Sequence, residues 1–229
     1  MLATSARSKK TNIGIDMPIK VKICGLRDPG NIQQIIDLGP NFIGAVFYPN
    51  SKRFAGDTLL PIQMQNLDTA IKKVAVFVDS DLKLLADTVK SYFFNAVQLH
   101  GNESVEYCEN VKKILPGIDV IKAFQISGSF DPKMIESYAG TVDYVLFDSA
   151  SDQFGGSGQT FDWTILNDYA KGAPFFLSGG IGCDNIVAAR EFIEEHPLGF
   201  GVDASSKLEK EPGVKAITLV QKFIEGIKS

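Results

Sequence analysis

Ile19-Lys20-Val21-Lys22-Ile23-Cys24-Gly25-Leu26-Arg27 is the stretch that decides the architecture. Its first six residues read as a β-strand. The turn that follows carries a single glycine, where an open dinucleotide-binding sheet would carry G-x-G-x-x-G. Working outward, seven more short apolar runs lie at 42–47, 74–78, 96–99, 120–123, 144–147, 175–177 and 200–202. Each has the length of a strand buried on both faces. Helical spacing fills the intervals: Leu82, Leu85, Ala86, Val89 and Phe93 share one face, as do Ile217, Val220, Ile224 and Ile227. Asp131-Pro132 and Asp184 stand where N-cap or first-turn residues belong. Eight strands alternating with eight helices make parallel neighbours joined by crossovers. The glycine-rich loops come late in the chain, so the pattern predicts an α/β fold of one domain over 18–229, a (β/α)8 or TIM barrel.

Composition bounds the function. The 229 residues are 45% hydrophobic and 22% charged, which suits an ordinary globular chain. With 23 basic against 27 acidic residues, a formal charge of −4 and no long basic run, no nucleic-acid partner is expected. No apolar stretch approaches the roughly 18 residues of a membrane-spanning helix, so no membrane partner is expected either. Cys24, Cys108 and Cys183 are odd in number and far apart. They suit neither a disulfide framework nor a C-x-x-C metal site, and a cytoplasmic location follows as the expectation. Residues 1–17 form a polar, basic lead-in without the apolar stretch of a secretory signal. They read as a disordered extension; a short transit peptide or a start at Met17 are the alternatives.

In a barrel the chemistry sits at the C-terminal ends of the strands. Strand one ends at Cys24, with Lys22 on the same side by period-two alternation. Cys24 reads either as a small core residue or as a thiol whose pKa a neighbouring cation lowers. Strand two runs into Phe47-Tyr48-Pro49-Asn50-Ser51-Lys52-Arg53, and Arg53 is either a solvated loop charge or a carboxylate clamp. Gln98 and His100 share a face at the end of strand four. His196, before Pro197, reads as incidental. Asp148 ends the strongly apolar strand six. The loop after it, Gly155-Gly156-Ser157-Gly158, joins Ser178-Gly179-Gly180 after strand seven and Asp203-Ala204-Ser205-Ser206 after strand eight. Small residues in three late loops let backbone N–H groups converge on an anion, so a phosphate monoester is the expected ligand. No His, Cys or Asp set has metal-ligand spacing and no nicotinamide or flavin fingerprint occurs, so side-chain acid–base chemistry without metal or cofactor is expected.

Lys22-Ile23-Cys24-Gly25, the Phe47 to Arg53 run, Val97-Gln98-Leu99-His100-Gly101, Gly155-Gly156-Ser157-Gly158 with Phe161-Asp162-Trp163, Ser178-Gly179-Gly180, and Gly201-Val202-Asp203 with Ser205-Ser206 together resemble the phosphoribosylanthranilate isomerase family. The resemblance runs in order from about residue 20 to the C-terminus. It implies a (β/α)8 barrel acting in tryptophan biosynthesis. The reaction it implies is the Amadori rearrangement of N-(5-phosphoribosyl)anthranilate to 1-(2-carboxyphenylamino)-1-deoxyribulose 5-phosphate. On this resemblance Cys24 is the general base and Asp148 the general acid. Arg53 engages the anthranilate carboxylate, His100 and Asp203 line the pocket, and Gly155, Gly156, Ser157, Ser178, Gly179, Gly180 and Ser205 hold the phosphate. The implied partner is a small phosphorylated substrate, with the chain a monomer or homodimer. Arg27 and Lys207 depart from the small residues usual in the family, adding positive charge near the substrate's acidic groups. Three rivals differ at nameable positions. The related histidine-pathway isomerase resembles paired half-barrels with aspartate where this chain has Cys24. Indole-glycerol-phosphate synthase would place lysine and glutamate at strand ends. A phosphate-binding barrel without chemistry would not need both Cys24 and Asp148.

Overall fold

The computed structural model describes residues 18–67, 70–127, 130–150 and 160–229. The expectation for 1–17 therefore lies outside the described residues, as does the Gly155-Gly156-Ser157 loop. Eight strands close a parallel barrel in chain order: β1 (Lys20–Ile23), β2 (Phe42–Val46), β3 (Lys72–Phe77), β4 (Ala96–Leu99), β5 (Asp119–Ile126), β6 (Tyr144–Ser149), β7 (Phe175–Leu177) and β8 (Gly199–Ala204). β1 pairs with both β2 and β8, and its register sets Lys22 beside Asp203. Every expected strand is present. β5, β6 and β8 run longer than the apolar text alone suggests, because Asp148 and Asp203 stay within the ladder.

Helices α1 (Pro29–Ile36), α2 (Pro61–Gln65), α3 (Leu82–Ser91), α4 (Val105–Ile114), α5 (Lys133–Glu136), α6 (Ile186–Glu195) and α7 (Ile217–Lys228) wrap the barrel. Local chemistry starts them. Asp28 accepts the Asn31 N–H ahead of Pro29, Asp81 accepts from Lys83 and Leu84, and Ser104 accepts from Tyr107. Three expectations are corrected. The crossover from β6 to β7 runs through a 3-10 helix, Trp163–Asp168, in place of an α-helix. Phe93 does not join the buried face of α3, since the helix has ended and Phe93 turns to φ +58°, leaving Phe94 as the buried ring. Asp184 does not cap α6; Asn185 holds that position and Asp184 pairs with Lys207.

Alternation along the strands creates two cores. Val21, Ile23, Val97, Leu99, Val145 and Phe147 face outward into the large core beneath the helices. The inward residues start with an aromatic floor at the N-terminal end of the barrel. There Phe42, Tyr144, Phe176 and Phe200 meet with ring centroids 4.6–6.2 Å apart, mostly edge to face. Val74, Val76, Ala96, Ile121 and Leu146 fill the middle. The same inward faces then turn polar, with Lys22, Gln98, Ser178 and Asp203 buried at the top. Apolar filling below and polar groups above leave one end of the barrel fit for chemistry.

Candidate active site

At the C-terminal ends of the strands one pocket has Cys24, Arg53, His100 and Asp148 in its walls. Ser178, Gly179, Gly180, Asp203 and Ser205 line the same pocket. All the sequence-derived site residues that lie in the described part thus meet in one place.

Cys24 follows β1 and its backbone N–H donates to the Ala204 carbonyl, 2.9 Å away, which extends the ladder by one residue. Its sulfur lies under the open face of Gly44, where a Cβ would approach to 2.8 Å. Burial pushes the thiol above its ordinary value, although Lys22 and, more weakly, Lys215 pull the other way. The expected lowering by Lys22 is therefore corrected, because burial outweighs the nearby cations. Lys22 is itself fully buried and its charge is shared with Asp203, 2.7 Å from Lys22 Nζ to Oδ1. Below its pKa a thiol loses thiolate tenfold per pH unit. Site-resolved iodoacetamide labelling of Cys24 in the unliganded protein is therefore expected to be slow at neutral pH and still rising above about pH 9. A labelling rate already at plateau near neutrality would show that the cations outweigh burial.

Arg53 does not wait free in the pocket. Its Nε and Nη2 donate to Glu209 Oε1 and Oε2 at 2.8 and 2.7 Å, a bidentate pair. Lys215 Nζ reaches the same carboxylate at 2.7 Å and the Ser205 hydroxyl at 3.1 Å. Ser205 in turn donates to the Cys24 carbonyl, 3.0 Å away. Burial alone would raise the Glu209 carboxyl, but Arg53 and Lys215 hold it below the usual carboxylate value. Lys215 is pushed down by burial. One edge of the guanidinium is thus committed to Glu209, and the edge formed by Nη1 and Nη2 still offers two parallel N–H groups. Sequence reading missed Glu209 and Lys215. They flank the turn Pro212-Gly213 of an unanticipated hairpin, β9 (Glu209–Glu211) and β10 (Val214–Lys215). The Pro-Gly pair was the available signal.

The pocket wall after β7 is built largely from backbone. Gly179 and Gly180 both take positive φ, +81° and +63°. A Cβ on Gly179 would come within 2.4 Å of the Ser149 nitrogen, so only glycine fits there. Without side chains, Gly179 and Gly180 leave the pocket wall there to backbone. Ser178 donates to Asp203 Oδ2 at 3.1 Å, so Lys22 and Ser178 together engage both oxygens of Asp203. Across the pocket His100 Nε2 stands 3.2 Å from Asp148 Oδ2. His196 is remote from this site; its Nδ1 accepts from the Leu198 N–H and its Nε2 donates to the Leu166 carbonyl. Arg27 and Lys207 are not among the residues lining the pocket. Lys207 pairs with Asp184 at 2.6 Å and the Arg27 stem packs on Gly213. Neither side chain therefore reaches the pocket wall. Among the described residues no group of three or more His, Cys, Asp or Glu forms a metal site, and no helix is long and apolar enough to cross a membrane.

A family model for N-(5'-phosphoribosyl)anthranilate (PRA) isomerase matches residues 21–226. The N-(5'-phosphoribosyl)anthranilate isomerase of Parabacteroides distasonis is 41% identical, with 90% of this chain and 92% of that protein covered. The crystal structure of phosphoribosyl anthranilate isomerase from Thermotoga maritima superposes with a TM-score of 0.80 at 32% identity, covering 92% of this chain and 98% of that one. A phosphoribosyl anthranilate isomerase crystallised with reduced 1-(o-carboxyphenylamino)-1-deoxyribulose 5-phosphate superposes at 0.77 with 29% identity over the same 92% and 98%. By its barrel, by the thiol and carboxyl that meet at its mouth and by these likenesses, the chain belongs to the N-(5'-phosphoribosyl)anthranilate isomerase family.

Proposed function

We propose that this chain converts N-(5-phosphoribosyl)anthranilate to 1-(2-carboxyphenylamino)-1-deoxyribulose 5-phosphate, with Cys24 as general base and Asp148 as general acid. Family membership carries the reaction. The residue roles rest on one observation, that the thiol and the carboxyl stand in the same pocket, walled by the small residues of the β7 and β8 loops. The reaction opens a furanose and moves a proton from C2′. Asp148, protonated, donates to the ring oxygen as the C1′–O bond breaks, leaving a Schiff base between C1′ and the anthranilate nitrogen. Cys24, as thiolate, then takes the C2′ proton to give an enolamine, which tautomerises to the ketone. The relative bound to a reduced product analogue supports a pocket of this size and polarity in the family. Ser178, Gly179, Gly180 and Ser205 hold the phosphate, together with Gly155, Gly156 and Ser157 of the loop outside the described residues. His100 and Asp203 complete the walls.

Arg53 binds the anthranilate carboxylate through the edge that Glu209 leaves open. Arg53→Ala removes a charge-assisted contact worth about 1.5–3 kcal/mol, so KM is expected to rise by roughly ten- to a hundredfold while kcat changes less. An unchanged KM would return Arg53 to a purely structural partner of Glu209. The activity itself is tested by growth of a tryptophan auxotroph lacking this isomerase, followed by fluorescence turnover with substrate generated in situ. Failure of the purified protein in both would overturn the reading. The chain acts in the cytoplasm as a monomer or homodimer; its Thermotoga maritima relative is described as dimeric, with monomers generated from it.

A further inference from the structure

Gln98 lies inside the barrel on β4, 1% exposed, in a file whose preceding inward residue is Ala96. An amide there carries a cost that an apolar side chain would not, since its Oε1 is buried without a hydrogen-bond partner. What the amide contributes is its donor. Gln98 Nε2 lies 2.7 Å from His100 Nδ1. An amide nitrogen carries hydrogens and accepts nothing, so Nδ1 must accept, and the single proton of the neutral ring belongs on Nε2. Nε2 is the ring atom that faces Asp148 Oδ2 at 3.2 Å. That approach is close but not aligned as a hydrogen bond. Contacts of this kind tighten when substrate closes the site.

We propose that Gln98 is a positioning residue: its amide sets the tautomer of His100, and the Nε2–H so placed fixes which oxygen of Asp148 delivers the proton. The inference rests on the reading of Asp148 as the general acid. When the contact between His100 and Asp148 tightens and Nε2–H turns onto Oδ2, that oxygen is an acceptor and the acidic proton resides on Oδ1. As Oδ1–H passes its proton to the ring oxygen and the C1′–O bond breaks, Asp148 becomes a carboxylate. The hydrogen bond from Nε2 then changes from one made to a neutral acid to one made to an anion, about twice as strong. An interaction that strengthens along the reaction lowers the barrier without tightening ground-state binding. The opposite tautomer would present a bare Nε2 to Asp148, drawing its proton toward His100 and away from the substrate.

The test combines a measurement on the unaltered protein with two variants. Nitrogen-resolved NMR of the neutral His100 ring in the wild-type protein is expected to find Nε2 protonated and Nδ1 bare. Gln98→Met keeps the volume and removes the donor, and it is expected to lower kcat by about tenfold with KM within about twofold, the size of one positioning hydrogen bond. Gln98→Glu puts a carboxylate acceptor at Nδ1, so it is expected to place a proton on Nδ1, ending the bare-Nδ1 NMR signature, and to lower kcat further. In an Asp148→Asn background, Gln98→Met is expected to add nothing, because the group it positions is gone. A wild-type Nδ1–H tautomer, or a wild-type kcat in Gln98→Met, would overturn the proposal while leaving Asp148 as the acid. Full activity in Asp148→Asn alone would instead overturn the reading of Asp148 and take this inference with it.

Discussion

Cys24→Ala is expected to lower kcat by at least about 10²-fold, the lower end for loss of a positioned acid or base. The thiol is the titratable group at the end of β1, and Lys22 beside it is already held by Asp203. An amine locked in a buried ion pair and kept charged there is no substitute base, so the variant has no neighbour to take over the C2′ proton. Binding of a reduced product analogue is expected to change little, because the sulfur meets the reacting carbon and not the phosphate. Alanine also fits under Gly44 without strain, so the fold is expected to survive, as circular dichroism and thermal unfolding would show. Near-normal turnover in folded Cys24→Ala would remove the thiol from the chemistry and leave it as a filler of the barrel interior.

The barrel was legible because each strand is sandwiched between two cores. Tyr144-Val145-Leu146-Phe147 must be apolar on both sides, since Leu146 faces the interior and Val145 and Phe147 face the helices. The same rule explains why polar residues in these strands were legible as site candidates. Asp148 ends an inward file that is otherwise apolar, and Gln98 and His100 follow Ala96 in theirs, at the end where a barrel opens to solvent. Glu209 and Lys215 escaped notice for the opposite reason. They sit in a short hairpin of Glu-Lys-Glu and Val-Lys, text that reads as solvated loop, and only the folded chain shows Lys215 fully buried beneath Arg53's partner.

Environment was less legible than identity. Period-two spacing put Lys22 beside Cys24, and that neighbourhood is real. Its effect on the thiol depends on how much of the lysine's field is already spent on Asp203 and on how deeply the sulfur is buried, and neither is a property of spacing. The guanidinium of Arg53 gives the same lesson, because two of its five N–H donors belong to Glu209, a partner that spacing does not reveal.

Asp148→Asn is expected to fold normally and to bind phosphate, yet to lose at least about 10²-fold in turnover. Ring opening must place a proton on the furanose oxygen, a poor leaving group without one. Asparagine keeps the size of Asp148, but its amide proton is far too weakly acidic to be delivered. The wild-type rate is expected to fall at low pH, where Cys24, held up by burial, stays a thiol, and this limb is expected to vanish with the rate in Cys24→Ala. If Asp148→Asn keeps most of its activity, the acid lies elsewhere, and Asp203 is the next carboxylate in the pocket. Asp203 is a poorer donor on this geometry, since Lys22 and Ser178 donate to its two oxygens. If Asp148→Asn fails to fold, the strand-end carboxyl is a structural element of β6, and the catalytic proton must come from another group.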